Sequence, residues 1–458
     1  MVIYHTNDVH GNYDFLRKVH VFLKENRTEE DFYFDSGDYC DLKNIIVQAD
    51  KGDLAMQLIM TCGLDMMAVG NNEIDLTNEA LTKLVNKYPL ISVNLTDNDD
   101  RCPEGLAGSR ILEKNGKRFL IIGLSPYYAY GMVAGKYNIF YEMGNLHTVN
   151  PFDLVGKELE KSKGQYDYCI LLSHSGIAVD DIIKEKYPEI DLYLGGHCHS
   201  VINDGNYNQC GRGDYLGKIT LDITDDGIKI VKNELVDVKA CVADDAEDEE
   251  FDTILGDISA KADAITMKEI PAAGELLFDA FKECETVNFI CDCLYKHFGG
   301  DFTFMHNGIA EYGLKKPVSR GSLIKTFPSK LNPTFYKIKG AKVLEALKLS
   351  LDDDYIRQDG QGAGFRGSVL GTLCFSHNVQ IETSPLKMYL NGEELDPEKE
   401  YQIVTDDYLQ RGSGYKCLGV PDEEASYDPW FIRDLVEHYL MDEEMYKQAK
   451  IRRTREKK

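Results

Sequence analysis

The sequence predicts a two-domain α/β protein whose first domain is a sheet packed by helices. Short apolar runs alternate with helical patterns through the first half of the chain, which is typical of repeated β-then-α units. Residues 119–122 and 170–172 are continuously apolar, as expected of strands that are buried on both faces. The pattern changes near residue 240, where a run of carboxylates precedes a mixed arrangement of helices and strands.

The elements expected in the first domain follow one another closely. Helices are indicated by apolar residues at helical spacing, and strands by short apolar runs bounded by polar residues. We expect helices at 12–26 and 54–62, and strands at 2–4, 32–34, 66–69, 90–93, 118–124, 168–172 and 192–194.

An acidic segment separates the two halves of the chain. Residues 243–252 contain seven carboxylates, and apolar residues follow at helical spacing, so we interpret 243–268 as a solvated linker helix. The first domain is then expected at 1–242 and the second at 269–458. Within the second we expect helices in 276–298 and 340–351, strands at 302–305, 334–338, 369–375 and 401–404, and a frayed basic end at 447–458.

The chain is strongly acidic, with 51 Lys+Arg against 77 Asp+Glu and a formal net charge of -26. This charge argues against nucleic acid or an anionic membrane as the main partner. The sequence has neither a signal-peptide pattern nor an apolar stretch long enough for a transmembrane helix. The 12 cysteines include no CxxC pair, so we expect reduced, mostly buried thiols and a cytoplasmic protein.

Five short segments place metal-ligand residue types directly after predicted strands. Open α/β sheets form their sites outside the carboxyl ends of strands, so we expect these segments to meet. Their carboxylate, amide and imidazole groups suit Mn, Zn, Co or Fe. The segments are DVHG at 8–11, GD at 37–38, GNNE at 70–73, SHSG at 173–176 and GGHCHS at 195–200.

We interpret these segments as a centre for two divalent metal ions. Such ions lie about 3.5–4 Å apart and share an anionic bridge, for which Asp38 is the candidate. A ligand histidine usually donates its second N–H to a carboxylate or carbonyl, and Asp41 or Glu73 could accept it. The other candidate ligands are Asp8, His10 and His199 for one ion, and Asn71, His174 and His197 for the other.

The five motifs, in this order, resemble those of the calcineurin-like metallophosphoesterases. More narrowly they resemble the 5'-nucleotidase family, including its cytoplasmic bacterial branch, often called YunD-like. In the second half the resemblance continues through HNGI at 306–309, IKGA at 338–341 and RGSGY at 411–415. It implies an N-terminal four-layer α/β/β/α sandwich that carries the metals, and a C-terminal α+β domain of the 5'-nucleotidase type that binds the substrate.

The resemblance also implies a reaction, the metal-dependent hydrolysis of a phosphoester, with a nucleotide as the leading candidate substrate. A hydroxide held between two metal ions would attack the phosphorus. The two cations neutralise phosphate charge and lower the pKa of water. They would also create a positive site on an acidic protein, so that a small anionic substrate could bind.

Position 72 departs from the family pattern. There the family has a histidine, paired with an aspartate three positions later, that stabilises the phosphoryl group. This chain has Asn72 with Asp75, and both are candidate catalytic residues. An amide cannot carry charge or transfer a proton, and losing such a donor costs about 10²–10³ in rate. Two alternatives therefore stay open: a phosphodiesterase or nucleotide pyrophosphohydrolase with a better leaving group, and a metal-bearing, weakly active nucleotide sensor.

The second domain departs as well. Ala310 stands where the family's NGGxIR loop has its arginine, and RGSGY replaces the family's GGDGF loop. Members of the family stack the nucleotide base between two aromatic rings. Arg366 lies in a glycine-containing loop, and glycines would let the backbone of this loop approach an anion closely. The candidate substrate-binding residues are the aromatic pair Tyr408 and Phe327, together with Arg366, Arg411 and Asn307.

Overall fold

The computed structural model describes residues 1–127, 138–224, 227–244, 246–360, 362 and 364–455. The chain divides into two compact units, Met1–Ala262 and Asp263–Lys458. The boundaries expected at residues 242 and 268 stay a prediction, and Asp245 of the expected linker lies outside the described residues, as do residues 456–458. Within the described ranges, we find no helix that is both long enough and apolar enough to cross a membrane.

The strands of the first unit are short and lie close to the positions expected from the apolar runs. They are β1 (Val2–Thr6), β2 (Phe32–Asp35), β3 (Met66–Ala68), β4 (Leu90–Ile91), β5 (Leu95–Thr96), β6 (Ser109–Lys114), β7 (Lys117–Leu124), β8 (His147–Thr148), β9 (Tyr168–Ser173), β10 (Leu192–Gly195), β11 (Val201–Asp204), β12 (Tyr207–Cys210), β13 (Leu216–Thr224) and β14 (Gly227–Val236).

Two six-stranded sheets form the centre of the first unit. Their strand orders are β14-β13-β1-β2-β3-β4 and β11-β12-β10-β9-β7-β6. The run β1-β2-β3-β4 is parallel, and so is the run β12-β10-β9-β7. Apolar side chains of both sheets share one core, in which the rings of Phe32 and Phe119 lie 5.2 Å apart. The sheets are therefore packed face to face.

Helices cover the outer faces of this pair of sheets. Val155 and Ile183 pack against the second sheet, and Phe22 meets the ring of Tyr4 on the first. These layers confirm the predicted α/β/β/α sandwich. The helices are α1 (Tyr13–Asn26), α2 (Ile45–Asp50), α3 (Asp53–Thr61), α4 (Asn71–Ile74), α5 (Asn78–Val85), α6 (Asn138–Met143), α7 (Phe152–Lys161), α8 (Ile177–Lys186), α9 (Val238–Cys241) and α10 (Glu249–Thr266).

The strands of the second unit form a larger mixed sheet, a smaller sheet and a two-stranded pair. The strands are β15 (Glu269–Ile270), β16 (Phe302–His306), β17 (Val318–Ser319), β18 (Pro333–Lys339), β19 (Leu373–Phe375), β20 (Val379–Thr383), β21 (Leu386–Leu390), β22 (Glu393–Glu394), β23 (Glu400–Asp406), β24 (Ser426–Tyr427) and β25 (Thr454–Arg455). The larger sheet has the order β19-β16-β23-β18-β24, the smaller has β22-β21-β20-β25, and β15 pairs with β17.

The helices of the second unit pack on these sheets around one apolar core, which confirms the α+β prediction. They are α11 (Glu285–Phe298), α12 (Arg320–Thr326), α13 (Gly340–Leu349), α14 (Asp353–Ile356), α15 (Asp407–Gln410), α16 (Ile432–His438) and α17 (Glu443–Ala449), with 3₁₀ turns at Asn307–Ile309, Lys416–Leu418 and Asp422–Glu424.

The basic C-terminal segment differs from the frayed end expected for it. Arg453 is only 3% exposed, and its guanidinium lies 2.6 Å from the carboxylate of Asp292. The following residues pair in parallel with β20. A buried ion pair and strand pairing therefore order the segment as far as Arg455, and neither long-range contact can be read from local composition.

Asp180 ties α8 to the second sheet. Its buried carboxylate accepts hydrogen bonds from the hydroxyls of Ser173 in β9 and Tyr207 in β12, the latter at 2.7 Å. Burial raises the pKa of Asp180 to about 6, although these hydrogen bonds offset part of the increase. In the unfolded chain an aspartate titrates near pH 4. The folded state therefore retains a proton that the unfolded state has lost between about pH 4 and pH 6.

This difference predicts a pH dependence of stability. Because the pKa of Asp180 is higher in the folded chain than in the unfolded chain, its contribution to the free energy of unfolding is largest below pH 4. Raising the pH through 6 removes on the order of 3 kcal/mol of this stabilisation. Thermal unfolding in EDTA should show a shallower fall in midpoint between pH 4.5 and 6.5 for Asp180→Asn than for the wild type. Asp181→Asn, exposed on the same helix, should follow the wild type, and equal slopes for all three proteins would contradict the assignment.

Candidate metal centre

The seven predicted metal ligands all follow parallel strands of the two sheets. Parallel strands end at the same edge of a sheet, so the loops after them can converge. Asp8 and His10 follow β1, Asp38 follows β2, Asn71 follows β3, His174 follows β9, and His197 and His199 follow β10.

Five of these seven residues have a left-handed backbone conformation. Their φ angles are 50° for Asp8, 49° for His10, 60° for Asp38, 72° for His197 and 52° for His199. Residues other than glycine rarely adopt this region, and each such residue costs about 1–3 kcal/mol. Strain of this kind persists where the surrounding structure imposes it, and it is typical of functional sites.

Asp8, His10 and His199 form the first group of converging atoms. Asp8 Oδ1 lies 3.3 Å from His199 Nε2 and 3.8 Å from His10 Nε2, and the two histidine nitrogens are 3.3 Å apart. The other Asp8 oxygen accepts hydrogen bonds from Asn7 Nδ2 at 2.6 Å and from the backbone N–H of His197 at 2.9 Å. Asp8 is thus fixed with Oδ1 facing two imidazoles.

Asp8, Asp38 and His174 form a second, fully buried group. His174 Nε2 lies 3.2 Å from Asp38 Oδ1 and 3.8 Å from Asp8 Oδ1. His174 Nδ1 donates to the carbonyl of Ser36 at 2.6 Å, so Nε2 is the nitrogen that faces the carboxylates and that would bind a metal ion in place of a proton. Beside this group, His197 Nδ1 lies 3.1 Å from Asn71 Oδ1, and the rings of His174 and His197 are 5.2 Å apart.

The unsatisfied atoms of these groups fit a bound cation. Asp8 Oδ1 and His174 Nε2 are both buried, and neither makes a well-aligned hydrogen bond to any residue in the described part of the chain. Buried polar atoms in proteins are normally paired. A carboxylate oxygen and an imidazole lone pair that face one another are both ligands that a divalent transition metal accepts.

The pKa shifts in this group also indicate that its carboxylates are stabilised by a nearby positive charge. Burial alone lowers the pKa of His174, but the negative charges of Asp38 and Asp8 raise it to about 10. Burial raises the pKa of Asp38, but the charge of His174, whose Nε2 lies 3.2 Å from Asp38 Oδ1, holds it well below the usual range. Burial, and then the charge of His174, lowers the pKa of His197 to about 4. A proton on His174 thus compensates two carboxylates, as a metal ion would.

Supporting residues orient His10 and Asp38. His10 Nδ1 lies 3.2 Å from Asp41 Oδ2, one of the two carboxylates expected to accept from a ligand histidine. Asn72 is fully buried and binds both oxygens of Asp38, through its backbone N–H at 2.8 Å and its side-chain Nδ2 at 2.7 Å. Asn72 therefore holds a predicted ligand. Asp75 lies at the end of α4, with its backbone N–H bonded to the Asn71 carbonyl at 3.0 Å.

The polar substrate candidates of the second unit make internal contacts. Asn307 donates to the carbonyls of Asp279 and Lys282, both at 2.7 Å, and accepts from Cys374 Sγ at 3.1 Å. The guanidinium of Arg411 lies 2.6 Å from Asp407 and is 12% exposed. The backbone N–H of Arg366 donates to Ser329 Oγ, and its Nη1 donates to the Phe365 carbonyl, each at 2.9 Å.

The aromatic candidates are arranged differently from the expected pair. Tyr408 stacks on Phe365, with ring centroids 4.9 Å apart and an interplanar angle of 25°. His306 packs against both rings, at 5.0 Å from Tyr408 and 5.6 Å from Phe365. All three aromatic rings are buried in the core: Phe327 and Tyr408 are each 1% exposed and Phe365 is 6% exposed. Phe365 was missed as a partner of Tyr408, although an aromatic residue in a glycine-rich loop is a signal that could have found it.

Comparisons with known proteins agree with this architecture. The calcineurin-like phosphoesterase family matches residues 1–201, and the 5'-nucleotidase C-terminal domain matches residues 266–419. An uncharacterized metallophosphoesterase of Bacillus subtilis (strain 168), YunD, is 26% identical, with 95% of this chain and 97% of the relative covered.

Two solved structures share the fold along nearly the whole chain. A putative 5'-nucleotidase from Staphylococcus aureus is 16% identical with a TM-score of 0.66, covering 100% of this chain and 99% of that one. The NAD nucleotidase of Haemophilus influenzae is 15% identical with a TM-score of 0.61, covering 100% and 97%. The chain thus contains a calcineurin-like phosphoesterase domain followed by a 5'-nucleotidase C-terminal domain, and it is a metal-dependent phosphoester hydrolase.

Proposed function

We propose that this protein hydrolyses a nucleotide or a closely related small phosphoester with two divalent metal ions held by the seven predicted ligands. The observation that carries the proposal is the buried group of Asp8, Asp38 and His174, in which a carboxylate oxygen and an imidazole nitrogen face each other without aligned hydrogen bonds. When bound, the ions would neutralise phosphate charge and lower the pKa of water. The imidazole and carboxylate ligands favour Mn, Zn, Co or Fe.

The residues around the ions would hold them in a fixed arrangement. Asp38 is the proposed shared ligand, and the two hydrogen bonds from Asn72 fix the direction of its carboxylate. The contact between His10 Nδ1 and Asp41 leaves His10 Nε2 to face the ligand group. Such outer contacts orient ligand side chains and strengthen metal binding.

The nucleotide as substrate class is supported by the relatives and by the second unit. The two solved structures described above are named a putative 5'-nucleotidase and a NAD nucleotidase. We assign base recognition to Tyr408 and Phe365, because they are the stacked aromatic pair of the glycine-rich loop region. Rings at 4.9 Å already touch, so a base would bind by separating them or by displacing one.

A second candidate function is favoured by the contacts of Asn72. Its side-chain N–H is used by Asp38 and lies 3.3 Å from His10 Nδ1, and an amide transfers no proton. A phosphodiester or pyrophosphate has a better leaving group and needs less help of this kind. Phosphodiesterase or nucleotide pyrophosphohydrolase activity is therefore the alternative, with Asn72 and Asp75 as residues adapted to it.

The cysteines favour a reducing compartment. All 12 are free thiols, most of them buried. Disulfides are common in oxidising compartments and rare in the cytosol, so we propose that the protein works in the cytoplasm.

Removal of the shared ligand tests the metal centre. Asp38→Ala should lose both Mn²⁺ binding, measured by calorimetry, and turnover of nucleotides and bis-p-nitrophenyl phosphate, since both ions would lose a ligand. Asp153→Ala, at an exposed ion pair with Lys186, should retain both. Unchanged turnover in Asp38→Ala would exclude the shared-ligand assignment. A wild type that binds metal but hydrolyses nothing in a broad phosphoester panel would favour a nucleotide sensor.

Asn72→His separates the two candidate reactions. A histidine at this position can donate a proton, so the ratio of monoester to diester turnover should rise, by about 10-fold or more if a full electrostatic donor is regained. The rates are measured with AMP and bis-p-nitrophenyl phosphate under saturating Mn²⁺. Asn86→His, an exposed change at the end of α5, is the matched control. An unchanged ratio would mean that position 72 does not set the substrate class.

Phe365→Ala tests base recognition. Stacking of a base on an aromatic ring is worth about 1–3 kcal/mol, so KM for a nucleotide should rise about 10-fold. KM for glycerol phosphate, which has no ring, should change less. Phe327→Ala is measured alongside at a temperature where both variants are folded. A selective rise of the nucleotide KM in Phe327→Ala, with none in Phe365→Ala, would return the role to Phe327.

A further inference from the structure

Glu73 has an unusual set of contacts for a buried carboxylate. It is 0% exposed and accepts four backbone N–H groups. Oε2 accepts from Asp38 and Gly70, both at 2.9 Å, while Oε1 accepts from Tyr39 at 3.0 Å and Cys40 at 2.7 Å. Both oxygens are therefore used within the protein, so Glu73 is neither a ligand candidate nor a substrate contact.

These bonds join the two loops that follow β2 and β3. One loop carries Asp38 and the other carries Asn71, so a single side chain holds two predicted ligands in a common frame. The loops meet at two glycines with no room for a side chain. A Cβ on Gly37 would lie 2.8 Å from the nitrogen of Gly70, and a Cβ on Gly70 would lie 2.4 Å from the nitrogen of Asp38.

The conformation of Asp38 needs such a support. Its φ of 60° is unfavourable for a residue with a side chain, so the segment would relax if its N–H groups lost their acceptor. An N–H group that loses its partner in the interior costs about 1–3 kcal/mol. Glu73 satisfies three consecutive N–H groups of this turn, and the fourth belongs to the neighbouring loop.

We propose that Glu73 is a positioning residue of the metal centre, which fixes the spacing of Asp38 and Asn71 before any metal binds. The proposal rests on the proposed function for the identity of these two ligands. Loss of an outer support of this kind typically weakens metal binding 10–100-fold. The effect should reach the metals through the ligand loops, since the four described hydrogen bonds of Glu73 all go to backbone N–H groups.

Glu73→Gln tests this role. The variant keeps the volume of the side chain but replaces one oxygen by an N–H₂ donor, so two of the four backbone groups lose their acceptor. Mn²⁺ affinity of the purified full chain, measured by isothermal titration calorimetry, should fall about 10–100-fold. The visible absorption of the Co²⁺-loaded protein should also change, because it reports ligand geometry. Unchanged Mn²⁺ affinity in a folded Glu73→Gln protein overturns the proposal.

Asp31→Asn is the matched control for stability. Asp31 is also a buried carboxylate that accepts backbone N–H groups, from Thr28 at 2.8 Å and Val2 at 2.5 Å. It precedes β2, at the opposite end of that strand from Asp38. Asp31→Asn should lower Tm while leaving Mn²⁺ affinity and the Co²⁺ spectrum as in the wild type. An equal loss of affinity in both variants would make the Glu73 effect one of general stability and overturn the proposal.

Two further outcomes separate this proposal from the proposed function. If Glu73→Gln does not fold, Glu73→Asp takes its place; it keeps the charge but shortens the reach, and wild-type Mn²⁺ affinity in that variant overturns the proposal. A wild type that binds no Mn²⁺ overturns the proposed function and this proposal together. Strong Mn²⁺ binding in the wild type and unchanged binding in the Glu73 variant overturns this proposal alone.

Discussion

The closeness of two buried carboxylates, Asp8 and Asp38, is the constraint on which the rest of the first unit depends. Both face His174 Nε2, at 3.8 and 3.2 Å. Burying two like charges is costly unless positive charge lies beside them, and that cost raises the pKa of His174 to about 10. Two carboxylates and an imidazole that converge in this way form a group that suits a cation, and this is the geometric basis of the proposed metal centre.

This constraint explains the backbone around the site. A ligand side chain can reach a common point only if the chain turns sharply at the strand end, and five predicted ligands accordingly adopt positive φ. Local propensity opposes that conformation, so tertiary contacts must impose it. The hydrogen bonds of Glu73 and the contact of Gly37 with Gly70 are of this kind. Tertiary contacts therefore maintain positive φ angles at these residues, although the local sequence disfavours that conformation.

Much of the first unit could be predicted because its signals are local. A strand such as Phe32–Asp35 is a short apolar run, and ligand residue types directly after it mark the functional edge of the sheet. The second unit depends more on long-range contacts. Residue 276 was expected in a helix but forms a bridge with Leu314, and the helix begins only at Glu285. The stacking of Phe365 on Tyr408 likewise joins distant segments; the glycine-rich loop marks Phe365 as a candidate, but no local pattern shows which ring it meets.

The predicted metal ligands and the predicted substrate contacts also differ in whether their polar atoms find partners within the protein. Two predicted ligand atoms, Asp8 Oδ1 and His174 Nε2, are buried without an aligned hydrogen bond in the described part of the chain, as expected of atoms whose partner would be an ion. The predicted substrate contact Arg411, in contrast, already forms an ion pair with Asp407. Buried unsatisfied atoms support a metal site only where several ligand types surround them, since His306 Nε2 and Asp406 Oδ2 in the second unit are also buried without an aligned hydrogen bond. The proposal for substrate recognition depends instead on the stack of Phe365 and Tyr408, whose rings a base would have to separate.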